Sequence, residues 1–488
     1  MPIIAAQRGP RMENQRPNIL LLMADQFRAD CVGASGNRAI RTPNLDHIAR
    51  GGVIFPRAYS STPSCTPARA GLLTGWAPWR HGMLGYGRVA ERYANEMPRM
   101  LRQMGYYTAG IGKMHWHPQR NLHGFHRTLL DESGRVETPG FVSDYRQWFR
   151  AQAPDLDPDA TGIGWNDYAA KPYALPEQLH PTRWTGDRAV EFLTGYSEPS
   201  PWFLKVSFAR PHSPYDPPER FWCMYEDVEL PGAVVGRWAE RFAHRGETLP
   251  SSTWWGDLGK EQVRRSRQGY YGSVSFIDEQ IGRILEALER RGEAQRTLVV
   301  FTADHGDMLG DHHLWRKTYA YEASARIPMI VRWPERIEPQ HGRGPATPVE
   351  LRDILPTFVD ATGTKPRPYE FDGISLLSLV KPGASPVHRL MDLEHARCYW
   401  PGSDWTAITD GHYKYIHWSM TGEEQLFDLE RDPGELRNLA SEAGSAALLR
   451  VWRHHMAEHL AERGDEWAKD GAPRVRSKSV LYSPHYPG

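Results

Sequence analysis

Short apolar, β-branched runs alternate along the chain with stretches whose apolar residues recur at helical spacing. That is the pattern of a mostly parallel sheet flanked by helices. The runs predict strands over 18–24, 107–112, 202–209, 297–303 and 327–333. Helical periodicity falls on 44–50, 66–74, 91–104, 184–196 and 261–291, the last carrying a one-sided stripe through Val274, Ile277, Ile281, Ile284 and Leu288. After about residue 386 the pattern changes. Segments 405–409, 413–418 and 425–429, separated by Asp410-Gly411 and Thr421-Gly422, predict an antiparallel meander, followed by a charged helix over about 444–463 and a Pro-rich tail. The expected organisation is a large α/β domain over 16–385 and a small antiparallel α+β unit over 386–488. Two aperiodic stretches, 134–181 and 229–259, are rich in Pro, Gly, Trp and Asp, and are expected to be loops over a site.

Composition narrows the function. With 488 residues, 40% hydrophobic and 24% charged, the chain is globular and long enough for a sizeable core. Lys and Arg number 59 and so do Asp and Glu, so no basic excess points to a nucleic-acid partner. No apolar run reaches bilayer-spanning length, and the patch Ile3-Ile4-Ala5-Ala6 is too short for a signal-peptide core, so the expectation is no membrane partner and a cytoplasmic location. The four cysteines, 31, 65, 223 and 398, are too scattered for a disulfide framework or a C-x-x-C site. Lysine is scarce, ten against 49 Arg, which makes a Lys at a strand end less of a background choice.

The informative residues follow the strands. The first run ends in Asp25-Gln26, the second in Gly112-Lys113-Met114-His115, the third in Arg210-Pro211-His212 and the fourth in Asp304-His305-Gly306-Asp307. One such residue alone is most often a cap or a surface group. Four parallel strands delivering them in succession point to one crevice beyond their carboxyl ends. Two Asp, a Gln oxygen and a His nitrogen suit a divalent cation. Lys113 and Lys317 add positive charge, and the sum is a site for an anionic oxyester: sulfate, phosphate or phosphonate. Cys65 stands before Thr66-Pro67, read as the cap and first position of a helix, where the dipole depresses a thiol pKa. A small buried hydrophobe is the ordinary alternative.

Ser64-Cys65-Thr66-Pro67-Ala68-Arg69, followed by Leu72-Leu73-Thr74-Gly75, resembles the signature of the formylglycine-dependent sulfatases, whose cysteine is oxidised to formylglycine. The resemblance runs from Pro17 to about Leu439 through Thr42-Pro43-Asn44-Leu45-Asp46, Gly112-Lys113-Met114-His115, Pro211-His212-Ser213-Pro214, Asp304-His305-Gly306-Asp307 and Leu426-Phe427-Asp428-Leu429. It implies an alkaline-phosphatase-like fold with a small C-terminal antiparallel sheet. It also implies that Asp25, Gln26, Asp304, His305 and the modified Cys65 hold one divalent cation. Arg69 would partner residue 65, while Lys113, His115, His212 and Lys317 would bind sulfate and move protons. In the implied mechanism the hydrated formylglycine attacks sulfur, His212 protonates the leaving alcohol, and the aldehyde is then restored, with His115 accepting a proton.

Many sulfatases carry Asp-Asp and Asp-Asn where this chain has Asp25-Gln26 and Asp304-His305, a difference it shares with phosphonate monoester hydrolases and choline sulfatases. Calcium is the cation expected from the resemblance, with manganese second because imidazole suits transition metals. The expected substrate is a sulfate ester, on a carbohydrate first and with aryl sulfates as surrogates. The alternatives are a phosphonate monoester or phosphodiester, an unmodified cysteine-thiolate hydrolase, and a catalytically silent sugar-binding protein. Expected partners are the substrate, a formylglycine-generating enzyme during maturation, and further copies of the chain.

Overall fold

A computed structural model describes residues 16–244, 249–335, 337, 342–367, 369–385 and 387–488. The apolar patch at 3–6 and residue 386, beside the expected domain boundary, lie outside these.

Eight strands form one sheet: β1 (Asn18–Asp25), β2 (Val53–Ile54), β3 (Tyr107–Gly112), β4 (Arg127–Leu130), β5 (Trp202–Pro211), β6 (Thr297–Ala303), β7 (Met329–Arg332) and β8 (Gly342–Arg343). Their order is β4-β3-β5-β1-β6-β7-β2-β8. Four of the five apolar runs become β3, β5, β1 and β6, adjacent and parallel at the centre. Every residue of β1, β5 and β6 is buried, because helices cover both faces, and this is why they read as unbroken apolar runs. The fifth run joins as β7, antiparallel to β6. The edge strands β4 and β8, and β2 beside β8, have two to four residues, too few to carry a visible period.

Helix α1 (Pro43–Arg50), α2 (Cys65–Thr74), α3 (Asp144–Gln152), α4 (Pro181–Gly195), α5 (Gly259–Arg290), α6 (Ile354–Ala361) and α7 (Ala446–Leu460) are the longer ones. α4 and α5 pack on each other and on β5, whereas α2 packs with α6. On β5 the odd positions face α2 and α6: the Phe203 ring meets Phe358, and Ser207 accepts a hydrogen bond from Arg69. Two expectations change. The helix expected over 91–104 is confined to Met97–Gln103, since Pro98 can open a helix but cannot sit inside one. The stretch 134–181 is not all loop: α3 lies within it, begun by Ser143, whose side chain accepts from Arg146 N.

The C-terminal unit is an antiparallel sheet of β9 (Met391–His395), β10 (Trp405–Thr409), β11 (Tyr413–Trp418) and β12 (Glu424–Asp428). One face meets α7 through Ile408, Tyr415, Leu426, Trp452 and Met456. The other packs Trp405, Ile416 and Phe427 on Tyr59, Leu314 and Tyr319 of the large domain. Among the described residues no helix is long and apolar enough to cross a membrane.

Candidate active site

The parallel strands β3, β5, β1 and β6 bring their carboxyl ends to one edge of the sheet. His212 N donates to the Asp25 carbonyl (3.1 Å), and Lys113 N donates to the Ser207 carbonyl (2.7 Å). Gly112 makes the second contact possible. It sits at φ 91°, and a Cβ there would strike the Ser207 carbonyl. Helix α2 adds the cysteine. It starts at Cys65 itself, two residues before the Pro67 start that Thr66-Pro67 suggests, with Ser64 as its N-cap. Ser64 caps without its side chain, because its hydroxyl is bonded to His395 Nε2 at 2.8 Å.

Asp25, Cys65, Asp304 and His305 are all buried and place one ligand atom each within 4.8 Å of one another. Arg69, itself fully buried, organises the carboxylates: its guanidinium lies 3.0 Å from Asp25 Oδ2 and 2.9 Å from Asp304 Oδ2. Both Oδ1 atoms then turn inward, 3.9 and 3.8 Å from His305 Nε2. His305 Nδ1 donates to the Gly306 carbonyl (2.9 Å), so Nδ1 carries a proton and Nε2 faces the cluster, 3.3 Å from Cys65 Sγ. An imidazole fixed through its far nitrogen beside two carboxylate oxygens, of which Asp304 Oδ1 also accepts from Gln26 N and His305 N, is a donor set that could hold a divalent cation. The residues fit the metal. Burial opposes a charged imidazole, yet Asp304 and Cys65 raise the His305 pKa, so the cluster draws positive charge. Gln26 reaches the same crevice, but its amide oxygen accepts from Lys317 Nζ (2.8 Å) and its nitrogen donates to Asp307. A cation bound through Gln26 therefore has to exchange that lysine bond.

Two ammonium groups flank the thiol. Lys113 Nζ is 2.6 Å from Asp25 Oδ2 and 3.8 Å from Cys65 Sγ. Burial raises the Asp25 carboxyl, but Lys113, His212 and Arg69 hold it well below the usual carboxylate range. Burial and Asp25 likewise push the Cys65 thiol up, and Lys113, Lys317 and His305 outweigh them, bringing it to about 7. Lys317 Nζ also lies 2.6 Å from His212 Nε2, while His212 Nδ1 is bonded to the Ser213 carbonyl (2.9 Å). Burial and then Lys317 keep His212 neutral, well below the ordinary histidine range. Burial lowers the Lys317 ammonium too, opposed by Cys65 and Asp25, and the neutral His212 accepts from it through Nε2. His115 is neutral too, lowered by burial, Arg135 and Lys113.

The Sulfatase family model matches residues 17–364, and a second, for the C-terminal part of N-sulphoglucosamine sulphohydrolase, matches 310–462. The chain belongs to the sulfatase family. This sulfatase is 38% identical over 483 residues to an arylsulfatase of Clostridium perfringens, covering 96% of this chain and 99% of the relative. It is 33% identical to a choline-sulfatase of Rhizobium meliloti, over 92% and 88% of the two chains. The phosphonate monoester hydrolase of Agrobacterium radiobacter superposes with a TM-score of 0.76 at 26% identity, covering 94% of this chain and all of that one. The protein is a sulfuric ester hydrolase, and its fold is the alkaline-phosphatase-like one.

All ten residues singled out from the sequence of the sulfatase converge here. Others escaped notice. Arg135 and Trp165 come from the aperiodic stretch and cover the crevice, and Tyr86 reaches His115 (3.4 Å) from the segment after α2. Trp116 and Trp315, next to the motifs in sequence, are core residues, whereas Trp165 faces the site, 6.1 Å from the His212 ring.

Proposed function

We propose that the sulfate ester is carried on a carbohydrate, and that hydrolysis uses formylglycine made from Cys65 and one divalent cation, calcium first and manganese second. Asp25, Asp304, His305 and residue 65 would hold the cation, with Gln26 joining when it releases Lys317. The convergence of these four ligand atoms beside two ammonium groups supports the reading. The cation supplies Lewis-acid charge next to residue 65. Formylglycine supplies the nucleophilic hydroxyl in place of the thiol.

The chain's own side chains do the rest. Arg69 holds the outer oxygens of Asp25 and Asp304, so their inner oxygens keep one orientation. Lys113 and Lys317 neutralise the sulfuryl oxygens at residue 65. His212 orients Lys317, and the pair holds the proton destined for the leaving oxygen. His115, kept neutral, would take up the proton that residue 65 releases once Arg135 NH1 gives up its ring nitrogen.

Peptide mapping of residue 65, with and without coexpression of a formylglycine-generating enzyme, tests the nucleophile. Turnover of 4-nitrophenyl sulfate should follow the aldehyde fraction; full activity with a free thiol overturns it. Among sulfated alcohols, monosulfated sugars should give the highest kcat/KM. A second reading, phosphonate monoester hydrolysis, draws on the imidazole of His305 in the donor set. It predicts that an aryl phosphonate outruns the matched aryl sulfate.

A further inference from the structure

Most of the positive charge in the crevice is already engaged. Arg69 is divided between Asp25 and Asp304, Lys113 pairs with Asp25, and Lys317 is bonded to Gln26 and His212. Arg135 differs. Among the described residues no carboxylate lies within ion-pair distance of its guanidinium; Glu137, two residues on, contacts His115 (3.3 Å) instead. Burial opposes its charge, and Cys65, Tyr86, Asp25 and Glu132 support it without an ion pair; a guanidinium inside a binding crevice with no contacting carboxylate can take an incoming anion.

Its geometry is nevertheless set. Glu132 Oε1 accepts from Met114 N and His115 N (both 2.9 Å), anchoring the turn that carries Arg135 to the segment beyond β3. Arg135 N donates to the Glu132 carbonyl (3.0 Å). The guanidinium carbon lies 4.1 Å from the Trp165 ring centroid, and NH1 lies 2.8 Å from Nε2 and 3.1 Å from Nδ1 of the His115 ring. Trp165 in turn stands edge-on to His212. The stacked pair therefore spans the mouth from one histidine to the other. A guanidinium has five N–H donors in a planar fork, and His115 engages only NH1. Lys113 is wholly buried while Arg135 is partly exposed, so the arginine lies on the outer, alcohol side of the bound ester.

We infer that Arg135, held on Trp165, recognises a second anionic group on the alcohol part of the substrate, a carboxylate or another sulfate. This rests on the sulfate-ester reading above and specifies which esters are preferred.

The test uses the matured enzyme and nitrophenyl sulfates of matched leaving-group pKa bearing a ring carboxylate, a ring sulfonate (a second sulfate that cannot be hydrolysed) or a neutral carboxamide. The wild type should favour an anionic substituent over the carboxamide by about 10–100-fold in kcat/KM, mostly through KM. A preference for carboxylate alone or sulfonate alone identifies which anion is meant. Arg135→Gln should remove that selectivity whatever its overall rate, and Arg135→Lys should restore part of it. A wild type indifferent to the anionic group overturns the inference, as does an Arg135→Gln enzyme that slows equally on all three esters. Hydrolysis of the carboxamide ester by the wild type reports separately on the sulfatase reading, so the two can fail independently.

Discussion

His395 Nε2 lies 2.8 Å from Ser64 Oγ, so the end of β9 is hydrogen-bonded to the residue that precedes Cys65. The C-terminal sheet is thereby tied to the start of α2, beside the proposed nucleophile. On its other side His395 Nδ1 meets Cys398 Sγ (3.2 Å).

Removing the imidazole leaves the fully buried Ser64 hydroxyl unpaired, which costs about 1–3 kcal/mol. His395→Ala should lower unfolding stability by about that amount in denaturant titrations, and kcat should fall with little change in KM. Burial pushes His395 down to about 3, so it is neutral from pH 5 to 9 and the loss should be the same across that range.

The Lys317–His212 pair holds one proton, and this shapes its mutational behaviour. His212→Ala and Lys317→Met should each slow alkyl or sugar sulfates by about 10²–10⁴-fold while sparing much of the rate on nitrophenyl sulfate, whose leaving group hardly needs a proton. The double variant should be no slower than the worse single one, because both changes remove the same proton. Additive losses, or equal losses on both substrates, would count against the shared proton.

Metal content should be one divalent ion per chain by elemental analysis, and Asp304→Ala should abolish it. His305→Ala should weaken manganese more than calcium, since imidazole nitrogen suits the transition metal and oxygen donors suit the hard cation. Competitive titration of the two ions into apoprotein measures this directly.

Lys205, buried in β5, provides a pH signature. Burial, and then Arg69, lower its ammonium to about 7, against 10.5 for an ordinary lysine, although its Nζ sits 5.1 Å from the Trp116 ring centroid. Between pH 7 and 10.5 the unfolded chain binds a proton that the folded chain does not, so this residue's penalty is full below pH 7 and vanishes as pH rises to 10.5. Lys205→Met should therefore stabilise the protein by about 2–3 kcal/mol more at pH 6 than at pH 9. Urea unfolding of both proteins at the two pH values checks it.

The central strands and the crevice could be read from the chain because their signals are local. β1, β5 and β6 are buried on both faces, so burial is written as continuous apolar runs, and each run ends where Asp25, His212 or Asp304 begins. The motif around Cys65 marked the fourth component. By contrast Ser143, a helix N-cap inside an aperiodic stretch, passed unread, as did the two-residue strands β2 and β8.

What the sequence by itself determined was the sheet, the family, and the set of titratable residues delivered to one edge. Their protonation and their partners were decided by tertiary structure. Nothing in Arg210-Pro211-His212 says that its imidazole accepts from Lys317, 105 residues away, and is held neutral by it. Nor does the aperiodic stretch reveal that Arg135 would stack on Trp165 with no carboxylate of the described residues at ion-pair distance. Periodicity reports which face of an element is buried, a property of neighbouring residues. Charge state and ligand-facing geometry depend on distances between side chains that only the packed chain brings together.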